Sequence, residues 1–374
     1  MDFELSADQV ALQEAVRAVL DRECTPAHVR RRVERDERAD ELWSTMCRLD
    51  WPALAIPQDA GGMGSTWVEL AVVLEELGRA AAPGPFLATV TQFVPLILEA
   101  GSPEQHKRWV ASAAAGELTG TIAVDEGAGT WLPDQVRATA VPDGDGYRLA
   151  GRKRFVLDGA TADEVAVAVR LDGGLALVVV PGRDVAARDL SPIDATTRHA
   201  DLTLDGARVE RDRLLATPRP GRALERALEQ AATAVAVSTV GTCQRILDMV
   251  VDYVKQRRQF GVPIGSFQAV KHKLVDMYRD LERARALGYF SALCIAEDDD
   301  RRTLAAAMAK ASAGECQQRI VQDGLQLFGG IGYTWEHDLH LYLRRAKVGE
   351  LHLGGAAQHR RRVAEIYLAS EEPR

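Results

Sequence analysis

The positions of apolar residues divide the chain into three stretches with different periodicity. From residue 6 to about 116, apolar side chains recur every three or four positions, as on one face of a helix. From about 119 to 215, β-branched residues alternate with polar ones between tight glycine turns, which is typical of strands. The helical period then returns and continues nearly to the end. The pattern predicts a helical N-terminal domain, a middle β domain and a helical C-terminal domain, at residues 1–118, 119–217 and 218–374.

Three local patterns add detail to the helical stretches. Ser6 and Gln9 have the spacing of a capping box at the start of the first helix. Ser266 precedes a long apolar-periodic segment and is predicted to cap its helix. Residues 230–243 are rich in Ala, Ser, Thr and Gly, which lets helix backbones approach closely. The last stretch is therefore predicted to form a packed four-helix bundle.

Composition and charge exclude several classes of function. The chain has 374 residues, 47% of them hydrophobic and 27% charged, which is enough to bury a large core. A formal net charge of -8 argues against binding to nucleic acid or to an anionic membrane surface. The acidic N-terminus has no export signal, and we find no apolar run that approaches the length of a membrane span. We expect a cytoplasmic protein that binds neither nucleic acid nor membrane.

The cysteines give no pattern of a metal or disulfide site. They form no C-x-x-C pair and have no paired spacing, so we expect neither a disulfide framework nor a zinc site, and no metal at all. This usage fits a reducing compartment. The five positions are Cys24, Cys47, Cys243, Cys294 and Cys316.

The segment YVKQRRQFGVPIGSFQ, at residues 253–268, places two arginines at the end of a predicted helix. Cations at a helix C-terminus are favoured by the helix dipole, which gives Arg257 and Arg258 an ordinary structural role. A guanidinium at such a junction also offers a planar fork of donors that matches a phosphate or pyrophosphate. A second glycine-rich junction follows at residues 326–334, QLFGGIGYT, where another backbone can approach closely. From the residues alone, both roles stay open.

These segments resemble the acyl-CoA dehydrogenase family of flavoproteins. The resemblance extends over essentially the whole chain in domain order. It implies a helical N-terminal domain, a β-barrel-like middle domain and a C-terminal four-helix bundle, usually assembled as tetramers. It also implies that FAD oxidises the Cα–Cβ bond of an acyl-CoA thioester. The motifs that carry it are YVKQRRQFG at 253–261, FQ at 267–268, DM at 276–277, QLFGGIGYT at 326–334 and LRRAK at 343–347.

The resemblance assigns cofactor contacts to the two glycine-rich junctions. It implies that Arg257 contacts the FAD pyrophosphate, and that Phe267, Gln268, Gln326 and Gly330 line the dinucleotide. In the family these positions serve the FAD whose flavin ring lies in the neighbouring subunit. Arg257 is therefore expected to act across a subunit interface.

The positions of the catalytic base depart from the family pattern. The reaction needs a carboxylate that removes the α-proton, and the family supplies a glutamate at one of two positions. Leu353 and Ala231 stand at these positions, and neither side chain accepts a proton. The catalytic residue is therefore unknown. Glu229 is a weak candidate because it lies two positions from Ala231, about 200° away around the helix. His352 is a second weak candidate.

The positions that face the chain's own flavin are altered as well. The family's Thr-Glu-Pro-Gly segment becomes Asp125-Glu126-Gly127, which adds a carboxylate beside a ring that becomes anionic on reduction. The Trp-Ile-Thr segment becomes FVL at 155–157, and the Thr and Gln after the usual base become Gly355 and Ala357. These changes are expected to weaken the chain's own active site.

The altered positions are those expected to face the chain's own flavin, whereas the retained positions are those expected to contact the FAD of a neighbouring subunit. This separation favours different roles for two kinds of subunit. We hypothesise that the chain is the non-catalytic partner in a hetero-oligomer. It resembles the paired actinobacterial acyl-CoA dehydrogenases that degrade steroid side chains, in which one kind of subunit supplies the base and the other completes the FAD site. One alternative is a homomeric enzyme with an unusual base such as Glu229. Another is a helical scaffold that binds neither FAD nor acyl-CoA.

Overall fold

A computed structural model of the chain describes residues 5–35, 40–127, 133–191 and 193–371, without the side chains of the last two residues. The order of its elements confirms the predicted succession of helices, strands and long helices. The first helix begins with the predicted capping box. The Gln9 amide donates to the Ser6 hydroxyl oxygen over 3.2 Å, and the Ser6 amide donates to the Gln9 side chain over 2.9 Å.

The N-terminal part consists of helices joined by short turns. Two π-helical stretches, Thr89–Phe93 and His106–Val110, connect α5 to α6 and α7 to α8 in the order that follows. The helices are α1 (Ala7–Glu23), α2 (Pro26–Arg35), α3 (Asp40–Arg48), α4 (Trp67–Arg79), α5 (Phe86–Ala88), α6 (Val94–Ala100), α7 (Pro103–Gln105) and α8 (Ala111–Ala114).

The middle part contains two β-sheets. The strands are β1 (Gly120–Ala123), β2 (Thr139–Asp143), β3 (Gly146–Ala150), β4 (Arg152–Leu157), β5 (Glu164–Leu171), β6 (Gly174–Pro181), β7 (Ala186–Leu190), β8 (His199–Thr203) and β9 (Arg208–Glu210). One sheet has the order β1-β5-β2-β3-β9 with β6 paired to β5, and the other has the order β4-β8-β7. Only the pairs of β5 with β1 and with β2 are parallel among these described strands.

Strand β5 is buried on both faces because successive side chains of a strand point to opposite sides. Val165, Val167 and Val169 pack into the core between the two sheets. Ala166 and Ala168 pack on the other side, in a core that contains side chains of α6, the π-helical stretches and α9. The larger sheet therefore separates an all-β core from a core shared with helices.

The C-terminal part is dominated by long helices, and a short hairpin joins the first two. The elements are α9 (Pro220–Gln256), β10 (Arg258–Gln259), β11 (Val262–Pro263), α10 (Gln268–Ala296), α11 (Arg302–Phe328), α12 (Leu339–Leu351) and α13 (Ala356–Glu371). The prediction that Ser266 caps α10 is wrong. Phe267 occupies the N-cap position, and the Ser266 hydroxyl instead donates to the Pro263 carbonyl over 2.7 Å.

The described residues form two compact units, and both are discontinuous in sequence. The helical unit contains Met1–Glu37, Trp67–Ala82 and Ala232–Arg374, and the mixed unit contains Arg38–Thr66 and Pro83–Ala231. Helices α1 and α4 therefore share a unit with α10 to α13, whereas the strands β1 to β9 belong to the mixed unit. The three sequential domains stay a prediction.

Helix α9 corrects the expectation that no segment has the length and composition of a membrane span. It has 37 residues and is the one helix in the described part of the chain that is long and apolar enough to cross a bilayer. In its most apolar stretch, 72% of the residues are buried, so α9 is a core helix.

Candidate functional site

The five residues that the resemblance assigns to FAD lie exposed at the ends of three helices. Arg257 directly follows α9, and Phe267 and Gln268 stand at the start of α10. Gln326 lies in the last turn of α11, and Gly330 lies in the turn that follows it. All five belong to the helical unit.

Ring stacking and an ion pair hold these helix ends together. The Tyr253 ring of α9 stacks on the Phe328 ring of α11, with 4.4 Å between the ring centroids and 18° between the ring planes. The Lys273 ammonium of α10 forms an ion pair with Asp323 of α11. These contacts bring the end of α9, the start of α10 and the end of α11 into one region of the helical unit.

The hairpin after Arg257 presents an aromatic side chain at its tip. The Ile264 amide donates to the Arg257 carbonyl over 2.8 Å and closes the hairpin. Phe260 and Gly261 form the turn with positive φ angles of 52° and 81°. Phe260 is 92% exposed, and its ring meets the Phe267 ring edge-on, at 6.1 Å between centroids. Together with Phe267, which is 37% exposed, it forms a small exposed apolar surface.

The charge of this region suits an anionic ligand. Residues 253–273 contain five Lys or Arg side chains and no carboxylate, in a chain whose net charge is -8. Among the described residues, the Arg257 guanidinium has no side-chain or backbone partner, so its donors face solvent. A Cβ added at Gly329 or Gly330 would meet no heavy atom within 4 Å, so the backbone there is accessible. The exposed guanidinium and the open glycine backbone fit a pyrophosphate.

The two positions that the resemblance assigns to a catalytic base carry buried apolar side chains. Leu353 follows α12 with 8% of its surface exposed, and its φ of 57° lies in the left-handed region. Ala231 lies on α9 and is fully buried. Glu229, two positions earlier on α9, is also buried, with 9% exposure. His352 is half-buried at the end of α12, where its amide donates to the Val348 carbonyl over 2.8 Å.

The two carboxylates of the segment predicted beside the flavin, Asp125 and Glu126, are both bonded within the mixed unit. Glu126 Oε1 lies 2.6 Å from the Lys153 ammonium and accepts a second bond from the Ala138 amide over 2.9 Å. Burial raises the pKa of Glu126, but the Lys153 hydrogen bond and the backbone donors outweigh this effect and hold the pKa below its usual value. The neighbouring Asp125 carboxylate accepts from the Gly127 amide over 2.7 Å. The Glu126 charge is therefore neutralised locally.

Phe155, which stands where the family places a ring behind the flavin, has a strained backbone. Its φ is 53°, at a point where the register between β4 and β8 shifts, and its side chain is 49% exposed. The Arg154 guanidinium lies 5.1 Å from the centre of the Phe155 ring. Arg154 and the Phe155 amide both bond to an oxygen of Asp201, at 3.4 Å each. A strained residue that presents an exposed ring is consistent with a binding surface.

The structure contains two fully buried lysines, Lys153 and Lys310, that the sequence patterns do not predict. Lys153 supports the segment at Asp125 and Glu126, and Lys310 bonds to the turn that carries Leu353. Lys310 is the one charged residue in the small-residue run AAAMAKASAG at 305–314. A cation in such a run indicates burial with a specific partner, and this pattern is the clue that the sequence offers.

The cysteines are all free thiols, four of them buried and Cys47 half-buried. Within the part of the chain that the structure describes, no group of three or more His, Cys, Asp or Glu side chains is arranged to hold a metal ion. The expectation of no metal stays a prediction.

Two family models match the chain, one near each end. Residues 6–117 match the family model for the acyl-CoA dehydrogenase N-terminal domain, and residues 221–368 match the model for the acyl-CoA dehydrogenase C-terminal domain. The acyl-CoA dehydrogenase IpdE2 of Mycobacterium tuberculosis is 33% identical over 337 residues, which cover 90% of this chain and 89% of the relative. The acyl-CoA dehydrogenase FadE27 of the same organism is 32% identical over 97% of this chain and 98% of its own length.

A solved structure extends the similarity to the fold. The crystal structure of the ChsE4–ChsE5 complex from Mycobacterium tuberculosis contains a chain that is 30% identical, with a TM-score of 0.90 and full coverage of both chains. The similarity confirms a helical N-terminal domain, a β half-barrel in the middle and a helical C-terminal domain. Together with the two domain matches, it leads to one conclusion: the chain belongs to the acyl-CoA dehydrogenase family.

Proposed function

We propose that this chain is a subunit of an FAD-dependent acyl-CoA dehydrogenase that forms a double bond between Cα and Cβ of an acyl-CoA thioester. In this proposal it is the non-catalytic partner and completes the FAD site of a second, base-bearing subunit. The observation that carries the proposal is the contrast between two sets of positions. The assigned FAD residues are present and exposed, whereas Leu353 and Ala231 occupy both base positions.

The exposed set supports a role in cofactor binding. Members of the family typically bind FAD, which accepts the hydride when it is bound. Arg257 offers a guanidinium without a partner among the described residues, in a segment, 253–273, that carries five cations and no carboxylate. Charge-assisted bonds from a guanidinium to a pyrophosphate are stronger than neutral hydrogen bonds. Phe267 and Gln268 lie at the start of α10, and Gln326 and Gly330 lie at and just after the end of α11, which packs against the end of α9 through the Tyr253–Phe328 stack.

The missing base supports the non-catalytic assignment. Removal of the α-proton needs an acceptor within hydrogen-bond reach of the substrate. A leucine at 353 and an alanine at 231 provide none. In this proposal another chain supplies the carboxylate.

A second acyl-CoA dehydrogenase-like subunit is the proposed partner. The solved relative with full coverage is described as a complex of ChsE4 with ChsE5. On this chain, three aromatic side chains near the assigned FAD residues are more than half exposed: Phe260 at 92%, Tyr333 at 75% and Trp335 at 54%. Burial of such rings is a strong source of interface energy.

The alternative is a self-sufficient homomeric enzyme with Glu229 as its base. It is favoured by one observation, the burial of this carboxylate on α9, two positions from a family base position. Buried carboxylates are frequent among catalytic bases. The experiment below separates the two functions.

We also propose a cytoplasmic location, because all five cysteines are free thiols. Free cysteines of this number are typical of a reducing compartment.

The test compares the purified chain with the same chain co-expressed with a base-bearing family member from its own genome. We expect the chain alone to show no acyl-CoA-dependent bleaching of flavin absorbance, and the complex to show it. Stoichiometric FAD and turnover from the chain alone, abolished by Glu229→Gln, would establish the alternative.

Arg257→Ala tests the cofactor contact within the complex. Loss of a charge-assisted bond to a pyrophosphate is expected to raise the Kd for FAD by about tenfold or more. The Kd is measured by titrating the flavin-free complex with FAD and following flavin fluorescence. Arg258→Ala is the matched control, because Arg258 is equally exposed and bonds to the Gly261 carbonyl of its own hairpin. Equal FAD affinity in the two variants would contradict the assignment of Arg257.

A further inference from the structure

The turn between α12 and α13 carries position 353, and its backbone has an unusual conformation. Leu353 has a φ of 57°, and Gly354, which follows it, has a φ of 97°. The left-handed region is sterically unfavourable for a residue with a Cβ. Strain of this kind persists where the surrounding contacts determine the conformation.

Lys310 of α11 reaches into this turn from the interior of the helical unit. Its ammonium donates to the Glu350 carbonyl over 2.8 Å and to the Gly354 carbonyl over 2.7 Å. The side chain is 1% exposed, so the two carbonyls replace water as partners of the cation. The two bonded carbonyls flank position 353 on either side in sequence.

His359 of α13 holds the carbonyl between those two. Its Nε2 lies 2.8 Å from the Leu353 carbonyl oxygen, and an acceptor oxygen requires that this nitrogen carries the proton. Burial lowers the pKa of His359 to about 4, and the carbonyl bond opposes that effect only partly. The imidazole is therefore neutral at physiological pH and keeps its Nε2 proton for Leu353.

The Glu350 carboxylate closes the turn from its far end. Its Oε1 accepts from the Ala356 amide over 3.4 Å, and its Oε2 pairs with the Lys347 ammonium at 2.8 Å. A Cβ added at Gly355 would lie 2.9 Å from Glu350 Oε1, so the glycine leaves room for this carboxylate. The carbonyls of residues 350, 353 and 354 are thus all held by side chains.

Lys310 and His359 bond to backbone oxygens of the turn, which a residue of any type at 353 would also provide. The arrangement therefore fixes the backbone without regard to the side chain at 353. We infer that Lys310 is a positioning residue for position 353: by holding the Glu350 and Gly354 carbonyls, it fixes the left-handed backbone from which that side chain projects. The functional meaning of this position rests on the proposed function.

Because these bonds go to backbone oxygens, the same contacts would hold position 353 whether its side chain is a leucine or a carboxylate.

Segment-resolved hydrogen exchange of the full chain tests the inference. Lys310→Met removes both carbonyl bonds, so the amides of residues 352–356 are expected to exchange about tenfold faster or more. Lys310→Gln keeps a donor and is expected to restore part of the protection. The amides of α10 serve as an internal reference, since a purely structural lysine would change their exchange as well.

Lys347→Met is the matched control. Lys347 contacts the same Glu350, but through the carboxylate, and its side chain is 49% exposed. In Lys347→Met we expect the amides of residues 352–356 to exchange at the native rate.

Equal exchange of these amides in Lys310→Met and Lys347→Met would overturn the inference, as would faster exchange throughout α10. Failure of both Lys310 variants to fold would overturn it too, because the lysine would then be a residue of global stability. The assay contains no FAD, so its outcome is independent of the test of the proposed function.

Discussion

Lys310 keeps its amine in an interior where a cation is unfavourable unless it is well paired. Among the described residues, its ammonium bonds to two backbone carbonyls, which solvate a cation less completely than water does. Burial lowers the pKa of Lys310 to about 7, although the charge of Glu350 opposes this effect. The side chain therefore changes its charge near neutral pH in the folded chain.

The shifted pKa predicts a pH-dependent contribution to stability. The ordinary value for lysine is 10.5, so between pH 7 and about 10 the unfolded chain binds a proton that the folded chain has released. The free energy of unfolding that Lys310 contributes is then lowest below pH 7 and rises as the pH increases through this window. We expect the difference in unfolding free energy between the native chain and Lys310→Met to grow by about 1 kcal/mol per pH unit from 7 to 9, measured by urea titration. A difference that stays constant from pH 7 to 9 would contradict the prediction.

At the residue scale, the sequence shows which residue type stands at a functional position but not which partners a side chain bonds to. The vacancies at Leu353 and Ala231 follow from the order of motifs along the chain. The role of Lys310 depends on bonds to residues 40 and 44 positions away, which no periodicity encodes. The pairing of Glu126 with Lys153 escapes the sequence for the same reason. The assigned FAD residues likewise stay predictions about a ligand, although the structure brings their helix ends together.

The crossing of α4 and α9 illustrates packing at the scale of elements. A Cβ at Gly78 would lie 1.9 Å from the Ser238 carbonyl oxygen, and one at Gly241 would lie 1.8 Å from the Glu75 carbonyl oxygen. The Thr242 hydroxyl donates to the Gly78 carbonyl over 2.9 Å across the same contact. The two helices approach so closely that neither glycine position leaves room for a methyl group.

Gly241→Ala is therefore expected to destabilise the fold by about 1 to 3 kcal/mol, since overpacking against backbone outweighs the better helix propensity of alanine. Thermal or urea unfolding measures the change. Gly288→Ala on α10 is the control, because its Cβ would meet only one Val237 methyl, at 3.0 Å. The prediction fails if the two variants are equally stable.

Element types are predictable here, whereas some element boundaries are not. The capping box of Ser6 and Gln9 is confirmed, since both of its bonds depend on residues three positions apart. Ser266 also has the composition of a cap, but a 3₁₀ turn at Ile264–Ser266 directs its hydroxyl back to Pro263 and moves the helix start to Gln268. A local pattern cannot reveal this competition, because the turn geometry decides it.

At the scale of the whole molecule, a buried polar network ties an N-terminal helix into the helical unit. The Glu75 carboxylate of α4 accepts from Arg285 Nε of α10 over 2.9 Å and from the Tyr289 hydroxyl over 3.0 Å. Glu75 is 5% exposed, and the Arg285 guanidinium also donates to Gln244 of α9 over 2.6 Å. Three helices from distant parts of the sequence thus share one network.

Glu75→Ala is expected to destabilise the fold by about 2 to 3 kcal/mol, because it leaves the Arg285 guanidinium and the Tyr289 hydroxyl without their shared buried partner. Glu282→Ala is the matched control. Glu282 also pairs with Arg285, but its side chain is 41% exposed, so its loss should change the unfolding free energy by less than about 1 kcal/mol. Similar losses in both variants, measured by urea unfolding, would show that burial does not set the strength of these pairs.

The succession of helices, strands and helices is predictable because periodicity is local. The membership of the compact units is not, because the contacts that join α4 to α9 and to α10 link residues far apart in sequence: Gly78 and Thr242 are separated by 164 positions, and Glu75 and Arg285 by 210. A division by sequence order assigns these helices to opposite ends of the protein. Contacts such as Glu75 with Arg285 appear only in the folded chain.

Helix α9 passes from the mixed unit to the helical unit between Ala231 and Ala232 without any break in its helical structure. A helix cut at this point would leave four amides on one side and four carbonyls on the other without their partners. Neither unit can therefore be excised at this border with intact ends. A truncated fragment that starts or stops at this border would start or stop in the middle of α9. Expression of the full-length polypeptide avoids such a cut.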